Sequence, residues 1–203
     1  MTVNGRRPAL GELIDPVADI VSVNGKRVPN KPFMEQLTLV LNKPAGIITT
    51  MHDEHGRPTV AKLLPTSRRL FPIGRLDAET TGVLLCTTDG ALARALSHPS
   101  SGVVKRYAVT ARGSMPSSAI AALGARDHVR LPDGSHRFSI ELSEGRNRQI
   151  RRMCAQTGLR VVSLMRTAFG PVRLGRLKIG CTRELEPREA RELNRLRDEH
   201  TVR

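Results

Sequence analysis

The stretch "FPIGRLDAETTG", residues 71–82, sets Arg75 and Asp77 on either side of one leucine, between an apolar lead-in and a glycine-closed turn. Read locally, Asp77 caps the short turn "AETTG", a common task for an aspartate at that place. A chemical task needs help from neighbours. An aspartate held by flanking backbone and by an arginine stays ionised, and an ionised carboxylate can act on a sugar as a nucleophile or a base.

A second chemical stretch is "EGRNRQIRRMCAQTG", residues 144–158. Asn147 reads as its N-cap and Gly158 as its stop, so a helix is expected between them. At about 100° per residue, Ile150, Met153, Cys154 and Thr157 fall on one side, and Arg148, Arg151 and Arg152 on the other. Arginines near a helix N-terminus oppose its dipole, so they call for a carboxylate or a phosphate; an exposed basic face is the equal alternative. The single tyrosine, Tyr107, lies in "KRY" on an expected strand, on the same side as Lys105. A tyrosine beside a cation can stack on a base while the cation holds a phosphate, although a lone strand tyrosine more often packs in a core. The run "HDEH", 52–55, has metal-capable atoms but no second cluster at ligand spacing, and reads as a solvated loop. No metal site, Gly-x-Ser-x-Gly elbow or glycine-rich phosphate loop is found.

The elements that must position these residues follow from composition and pattern. The chain has 203 residues, 39% of them hydrophobic, with four phenylalanines, one tyrosine and no tryptophan. That suits one domain, with or without a small appendage, around an aliphatic core. The formal net charge of +14 points to a polyanionic partner, nucleic acid before others. Cys86, Cys154 and Cys181 show neither disulfide nor zinc spacing. The opening "MTVNGRRPALG" lacks the apolar stretch of a signal peptide, and no run approaches the roughly 18 apolar residues of a membrane span, so the expected location is cytoplasmic, away from membranes.

Prolines and glycines punctuate the first 36 residues, of which only "DIVSVNGKRV" looks ordered, as a hairpin on Asn24-Gly25. From Leu37 the texture changes. "LTLVLNKPAGIITT" is a strand that breaks at Pro44 and Gly46 and then resumes; "GVLLCTTDG", "VVKRYAVTA", "FSIELS" and "GLRVVSLMRTAFG" read as further strands. "GALARALSHP", stopped by Pro99, and "SSAIAAL" read as helices, and "EPREARELNRLRDEH" as a solvated surface helix with Leu193 and Leu196 as a sparse apolar stripe. Irregular mixing of hairpin-linked strands and helices favours an α+β fold over a doubly wound sheet.

Taken in order, "LNKPAGIITT", "FPIGRLDAETTGVLLCTTDG", "VKRYAV", "EGRNRQIRRM" and "LMRTAFGPVRLGRLKIGCTREL" resemble the RsuA-type family of ribosomal RNA pseudouridine synthases, over Leu37 to about Arg195. The resemblance implies a mixed, mainly antiparallel central sheet with a cleft, flanked by helices and loops. It divides the chain into an extension, 1–36, that matches only the closing hairpin of a small RNA-binding domain, and a catalytic domain, 37–203.

What the resemblance implies about chemistry is specific. The reaction turns a uridine's base and rejoins it through carbon five, with no atom gained or lost, so no cofactor is needed. Asp77 would be the catalytic carboxylate, Arg151 its partner, and Tyr107 the ring stacked on the flipped uracil. Leu164 would wall the base, Arg75 would enter the RNA stack, and Lys43, Lys105, Arg148 and Arg152 would meet phosphates. The implied partner is ribosomal RNA, of the large subunit before the small, met by a monomer. The passage from Gly113 to Glu144 is shorter than the family's pattern, which puts a sheet element in question. A non-catalytic ribosomal RNA binding or assembly factor on the same scaffold is therefore the competing reading, and a hydrolase using Asp77 a weaker one, since no second acid is placed beside it.

Overall fold

The computed structural model of the chain describes residues 1–15, 18–28, 36–65, 68–98 and 101–201, the side chains of 200 and 201 excepted. Pro16, Pro29, Pro32 and Pro99, read above as breaks, lie outside the described residues. The chain divides into two compact units, Met1–Glu35 and Gln36–Arg203.

In the first unit the Asn24-Gly25 turn forms as its residues require. Both take positive φ, 53° and 74°, the pair of left-handed conformations that matches the twist of a two-residue hairpin. It joins β2 (Val21–Val23) to β3 (Lys26–Arg27). A third strand, β1 (Thr2–Val3), pairs with β2 and was not legible in the sequence. Asn4 supplies the reason: its side chain donates to Asp19 at 2.7 Å and accepts from the Ile20 amide at 2.8 Å, which fixes the register.

The second unit is built on one nine-stranded sheet. Its strands are β4 (Thr38–Lys43), β5 (Phe71–Pro72), β6 (Thr81–Thr87), β7 (Lys105–Arg112), β8 (Arg126–Arg130), β9 (His136–Leu142), β10 (Arg160–Phe169), β11 (Val172–Arg173) and β12 (Thr182–Glu184). The order is β12-β4-β6-β10-β7-β9-β8, with β5 beside β6 and β11 beside β10. Every pairing is antiparallel except β6 with β10. Among the described residues four α-helices complete it, α1 (Gly90–Ser97), α2 (Ser117–Leu123), α3 (Gln149–Gln156) and α4 (Pro187–Thr201), with one 3-10 turn at Val60–Leu63. This is a mixed α+β fold. The short passage after Gly113 still supplies α2 and the β8–β9 hairpin at the sheet's edge. Beyond Pro44, however, β4 does not resume as a strand: only Ile48 bridges, to Thr59.

The parallel seam has a strict steric requirement. Gly82 sits at φ 99°, and a Cβ there would lie 2.2 Å from the Arg166 carbonyl oxygen, so no other residue fits without moving a strand. Core packing then differs on the two sides of this seam. α2 and α3 press Ala119, Leu123, Ile150 and Cys154 onto Val109, Phe138 and Leu164. α1 and α4 press Leu92, Leu96 and Leu193 onto Val40, Val83 and Leu85.

Helix α4 is thus docked and not a solvated surface helix. Its start is held by Arg183, whose guanidinium grips Glu189 with two bonds of 2.7 and 2.8 Å, the planar match that arginine and carboxylate make best. Leu193 is wholly buried and Leu196 partly so. Leu193→Ala should therefore cost about 2–5 kcal/mol of unfolding free energy, and Leu196→Ala clearly less, as read from urea midpoints.

Candidate active site

Asp77 owes its position to the backbone around it. The segment leaves β5 with the Ile73 amide donating to the Leu85 carbonyl at 2.7 Å. Leu76 is buried, and the Thr49 hydroxyl donates to its carbonyl at 2.8 Å and accepts from its amide at 3.2 Å. The Gly46 amide donates to the Ala78 carbonyl at 2.9 Å, and the Thr80 amide to the Asp77 carbonyl at 3.0 Å, which closes the turn. Asp77 thus serves the turn through its backbone, and its half-buried carboxylate has no hydrogen-bond or ion-pair partner among the described residues.

Lys43 completes this brace and is not a phosphate contact. It is fully buried, and its ammonium donates to the carbonyls of Pro44, Ala78 and Thr80 at 2.9, 3.1 and 3.0 Å. Three donors meet three acceptors, so none is left for RNA. The resemblance puts Lys43 among the phosphate contacts; the strand instead turns its last side chain inward, onto the carbonyls of residues 78 and 80. Burial lowers the Lys43 pKa to about 8, against the opposing pull of the Asp77 charge.

A cleft of about 610 Å³ opens beside the brace, lined by Asp77, Arg75, Tyr107, Leu164, Lys105 and Arg148, among others. Tyr107 and Leu164 reach it from adjacent strands: Tyr107 pairs with Arg166, and Leu164 with Val109. Tyr107 is half-buried and Leu164 buried, so the cleft has an aromatic face and an aliphatic wall. Arg75 and Arg148 are exposed at its margin. Arg152 is exposed but does not line it.

Arg151 is not paired with Asp77. Its guanidinium lies 3.4 Å from Glu79, two residues further on, and Arg148 stands 3.8 Å from the same carboxylate. The Arg151 Nε is buried with no hydrogen-bond partner. In the sequence Glu79 reads as a turn residue, and its spacing from Asp77 is the signal of this role. Asn147 does not cap α3. Arg148 holds that place in the left-handed region, φ 48°, and Gln149 does the clamping, accepting from the Arg146 amide at 3.1 Å and donating to Glu144 at 2.6 Å. Of the "HDEH" run, Asp53 is taken up by Arg57 at 2.6 Å, and no group of three or more metal-ligating residues occurs among the described residues.

The sequence also passed over Arg166. It is 3% exposed, lines the cleft, and follows Leu164 by two residues on the same strand face. The signal was present in "SLMRTAF": an arginine in an apolar strand, in step with a wall residue.

Comparison with known proteins gives consistent results. The family model described as RNA pseudouridylate synthase matches residues 37–156. An uncharacterized RNA pseudouridine synthase of Mycobacterium tuberculosis is 37% identical over 203 residues, covering 91% of this chain and 78% of that protein. The ribosomal large subunit pseudouridine synthase B of Pseudomonas aeruginosa is 38% identical over 210 residues, covering 93% of this chain and 54% of that one. A crystal structure of a pseudouridylate synthase superposes with a TM-score of 0.67 at 26% identity, covering 96% of this chain and 87% of that one.

The depressed Lys43 pKa gives opposite signs for stability and for loop order. Between pH 8 and about 10.5 the unfolded lysine carries a proton that the folded one lacks, so this group makes stability rise with pH across that window. The same deprotonation leaves two N–H donors for three carbonyls. Turnover should therefore fall as pH rises through about 8 while this contribution to stability grows, read by single-turnover rates beside urea midpoints. Lys43→Met should remove the lysine's alkaline stability increment and lower turnover more than RNA affinity.

Proposed function

The chain belongs to the RNA pseudouridylate synthase family, and from that premise we propose that it converts a uridine of large-subunit ribosomal RNA to pseudouridine, the substrate named for its relative in P. aeruginosa. The observation that carries the site assignment is the unpartnered Asp77 carboxylate, held on a braced loop and facing a cleft walled by Tyr107 and Leu164. The net charge of +14 suits a polyanionic substrate.

In this reading RNA enters the cleft with the target nucleotide flipped out of its stack. Tyr107 stacks on the uracil, Leu164 walls it, and Arg75, exposed at the margin, enters the vacated position. Asp77 either attacks the anomeric carbon, forming an ester bond that breaks when carbon five attacks in turn, or removes the adjacent sugar proton and returns it once carbon five has added. In both routes the bond to the uracil nitrogen breaks, the base turns, carbon five bonds to the anomeric carbon, and the proton that carbon five loses is balanced by one gained at the freed nitrogen. Atoms balance, and no oxidant or group donor enters. Arg151 acts on the catalytic loop through Glu79 and, with its Nε free of partners, takes hold of Asp77 once RNA is bound. Lys105, Arg148 and the more distant Arg152 face phosphates.

The exposed Lys26 and Arg27 of the first unit's hairpin are a further RNA contact in this assignment. No helix among the described residues is long and apolar enough to cross a membrane; we place the activity with the ribosome in the cytoplasm.

Asp77→Asn keeps shape and removes the reactive charge. Its turnover should fall by more than about 10⁴-fold, with RNA affinity within about threefold of the parent. Retained turnover in the purified variant rejects the assignment, and pseudouridine mapping of ribosomal RNA from cells with and without the gene identifies the target. Arg151→Lys keeps charge but loses the two-pronged grip, so turnover should fall far more than binding. Arg152→Lys should do little to either, as read by single-turnover kinetics and filter binding.

A further inference from the structure

Among the described residues, Arg166 is a buried cation that no acid neutralises. Its Nε donates to the Val83 carbonyl at 2.7 Å, and its guanidinium stacks 5.3 Å from the centre of the Phe169 ring. The remaining donors, Nη1 and Nη2, have no hydrogen-bond or ion-pair partner among the described residues, and Nη2 is buried. Guanidinium does not lose its proton in a protein, so burial here leaves a full charge in place. Such a charge is costly unless it is paired.

A second cation stands beside it. The Lys105 ammonium lies 5.6 Å from the centre of the same Phe169 ring and donates to the Ser143 carbonyl at 3.0 Å. Burial, and after it the Arg166 charge, lower the Lys105 pKa, as expected where two cations share a site with no anion. Two acids line the cleft, Asp77 and Glu144. Glu144 is occupied by Arg146 at 3.0 Å and Gln149 at 2.6 Å, and Asp77 is not within ion-pair distance of either cation.

We propose that Arg166 and Lys105 together bind one phosphodiester group of the RNA, at a linkage flanking the nucleotide whose base lies between Tyr107 and Leu164. The identification rests on the family reading for the nature of the ligand and on the structure for the site. Arg166 is the cross-strand partner of Tyr107, so the anion and the base are bound by neighbouring side chains. A phosphodiester carries a full charge in the bound ground state, whereas uracil is neutral. Phosphate oxygens also point in several directions, which suits two cations approaching from adjacent strands. The Val83 bond and the Phe169 ring hold the guanidinium in place beforehand, so ordering it at the moment of binding costs little.

The test changes the ligand before the protein. A synthetic stem-loop of large-subunit ribosomal RNA, chosen as the tightest binder among overlapping segments, is made with single methylphosphonate linkages, neutral in place of charged, at each position around its unpaired uridines. Filter binding on the wild-type protein should show a loss of about ten- to a hundredfold at one flanking linkage and much smaller losses elsewhere. Arg166→Met should lose a similar factor on unmodified RNA and be indifferent to that linkage; Lys105→Gln should show part of both effects. Equal small losses at all linkages in the wild type would overturn the site, as would an Arg166→Met protein that still loses the full factor at the flanking linkage. A slowed rate with unchanged affinity in Arg166→Met would overturn it also, since the arginine would then act on the base or the loop. If Arg166→Met fails to fold, the wild-type linkage scan and Lys105→Gln decide the question. Wild-type turnover of unmodified RNA is read separately: its absence, with the single-linkage dependence intact, rejects the proposed reaction and keeps the phosphate site.

Discussion

The cleft depends on the way two strands share one edge of β6. At Thr81–Gly82 the neighbour on that edge is β10, running parallel; at Cys86–Thr87 it is β5. Between them the backbone of β6 would have open hydrogen-bonding groups, and buried groups of that kind are costly. The Arg166 side chain satisfies the Val83 carbonyl and the Ile73 amide satisfies that of Leu85. The chain that leaves β5 at Ile73 goes on to carry Asp77, and the strand that leaves β6 after Gly82 carries Leu164 and Arg166. One gap in the sheet's edge thus brings the Asp77 carboxylate and the walls of the cleft to the same place. Gly82 allows it, because only a residue without Cβ admits the β10 backbone so closely.

Once the gap exists, the loop across it must keep its shape without a strand to copy. Lys43 does this from below, with one ammonium shared by three carbonyls, and Thr49 does it from the side by bonding both ways with Leu76. Both anchors act on backbone and leave the Asp77 side chain alone. The Asp77 carboxylate is thus aimed by its backbone, with no lysine or amide donor on it among the described residues.

Much of the fold was legible in the residues. α2, β7, β9 and β10 lie where apolar alternation or helical spacing put them, and the Asn24-Gly25 hairpin forms as its turn chemistry demands. What was not legible depends on partners far away in sequence. β1 is only two residues long and exists because Asn4 finds Asp19 and Ile20. α4 reads as solvated by composition, yet Leu193, buried against Val40 and Val83, docks it together with the partly buried Leu196 and the Arg183–Glu189 grip. Asn147 is a good capping residue by type, but the loop from Glu144 is held by Gln149, and the left-handed residue that starts the helix is Arg148.

The basic residues show most clearly why spacing alone could not sort the site. By resemblance Lys43 is a phosphate candidate and Arg151 the partner of Asp77, while Arg166 carries no assignment from the sequence. The structure gives each a different task through its surroundings. Lys43 has an acceptor for every donor and so belongs to the protein's own framework. Arg151 has an acid, but it is Glu79, and through it α3 is tied to the loop that carries Asp77. Arg166 has a backbone carbonyl, a ring and no acid at all, and a permanent charge left in that state favours whatever anion the cleft receives. The net charge of +14 favours a polyanion in general and carries no register along it. It is the few cations without counter-ions inside the cleft, and not the many on the surface, that can decide where along the strand the backbone comes to rest.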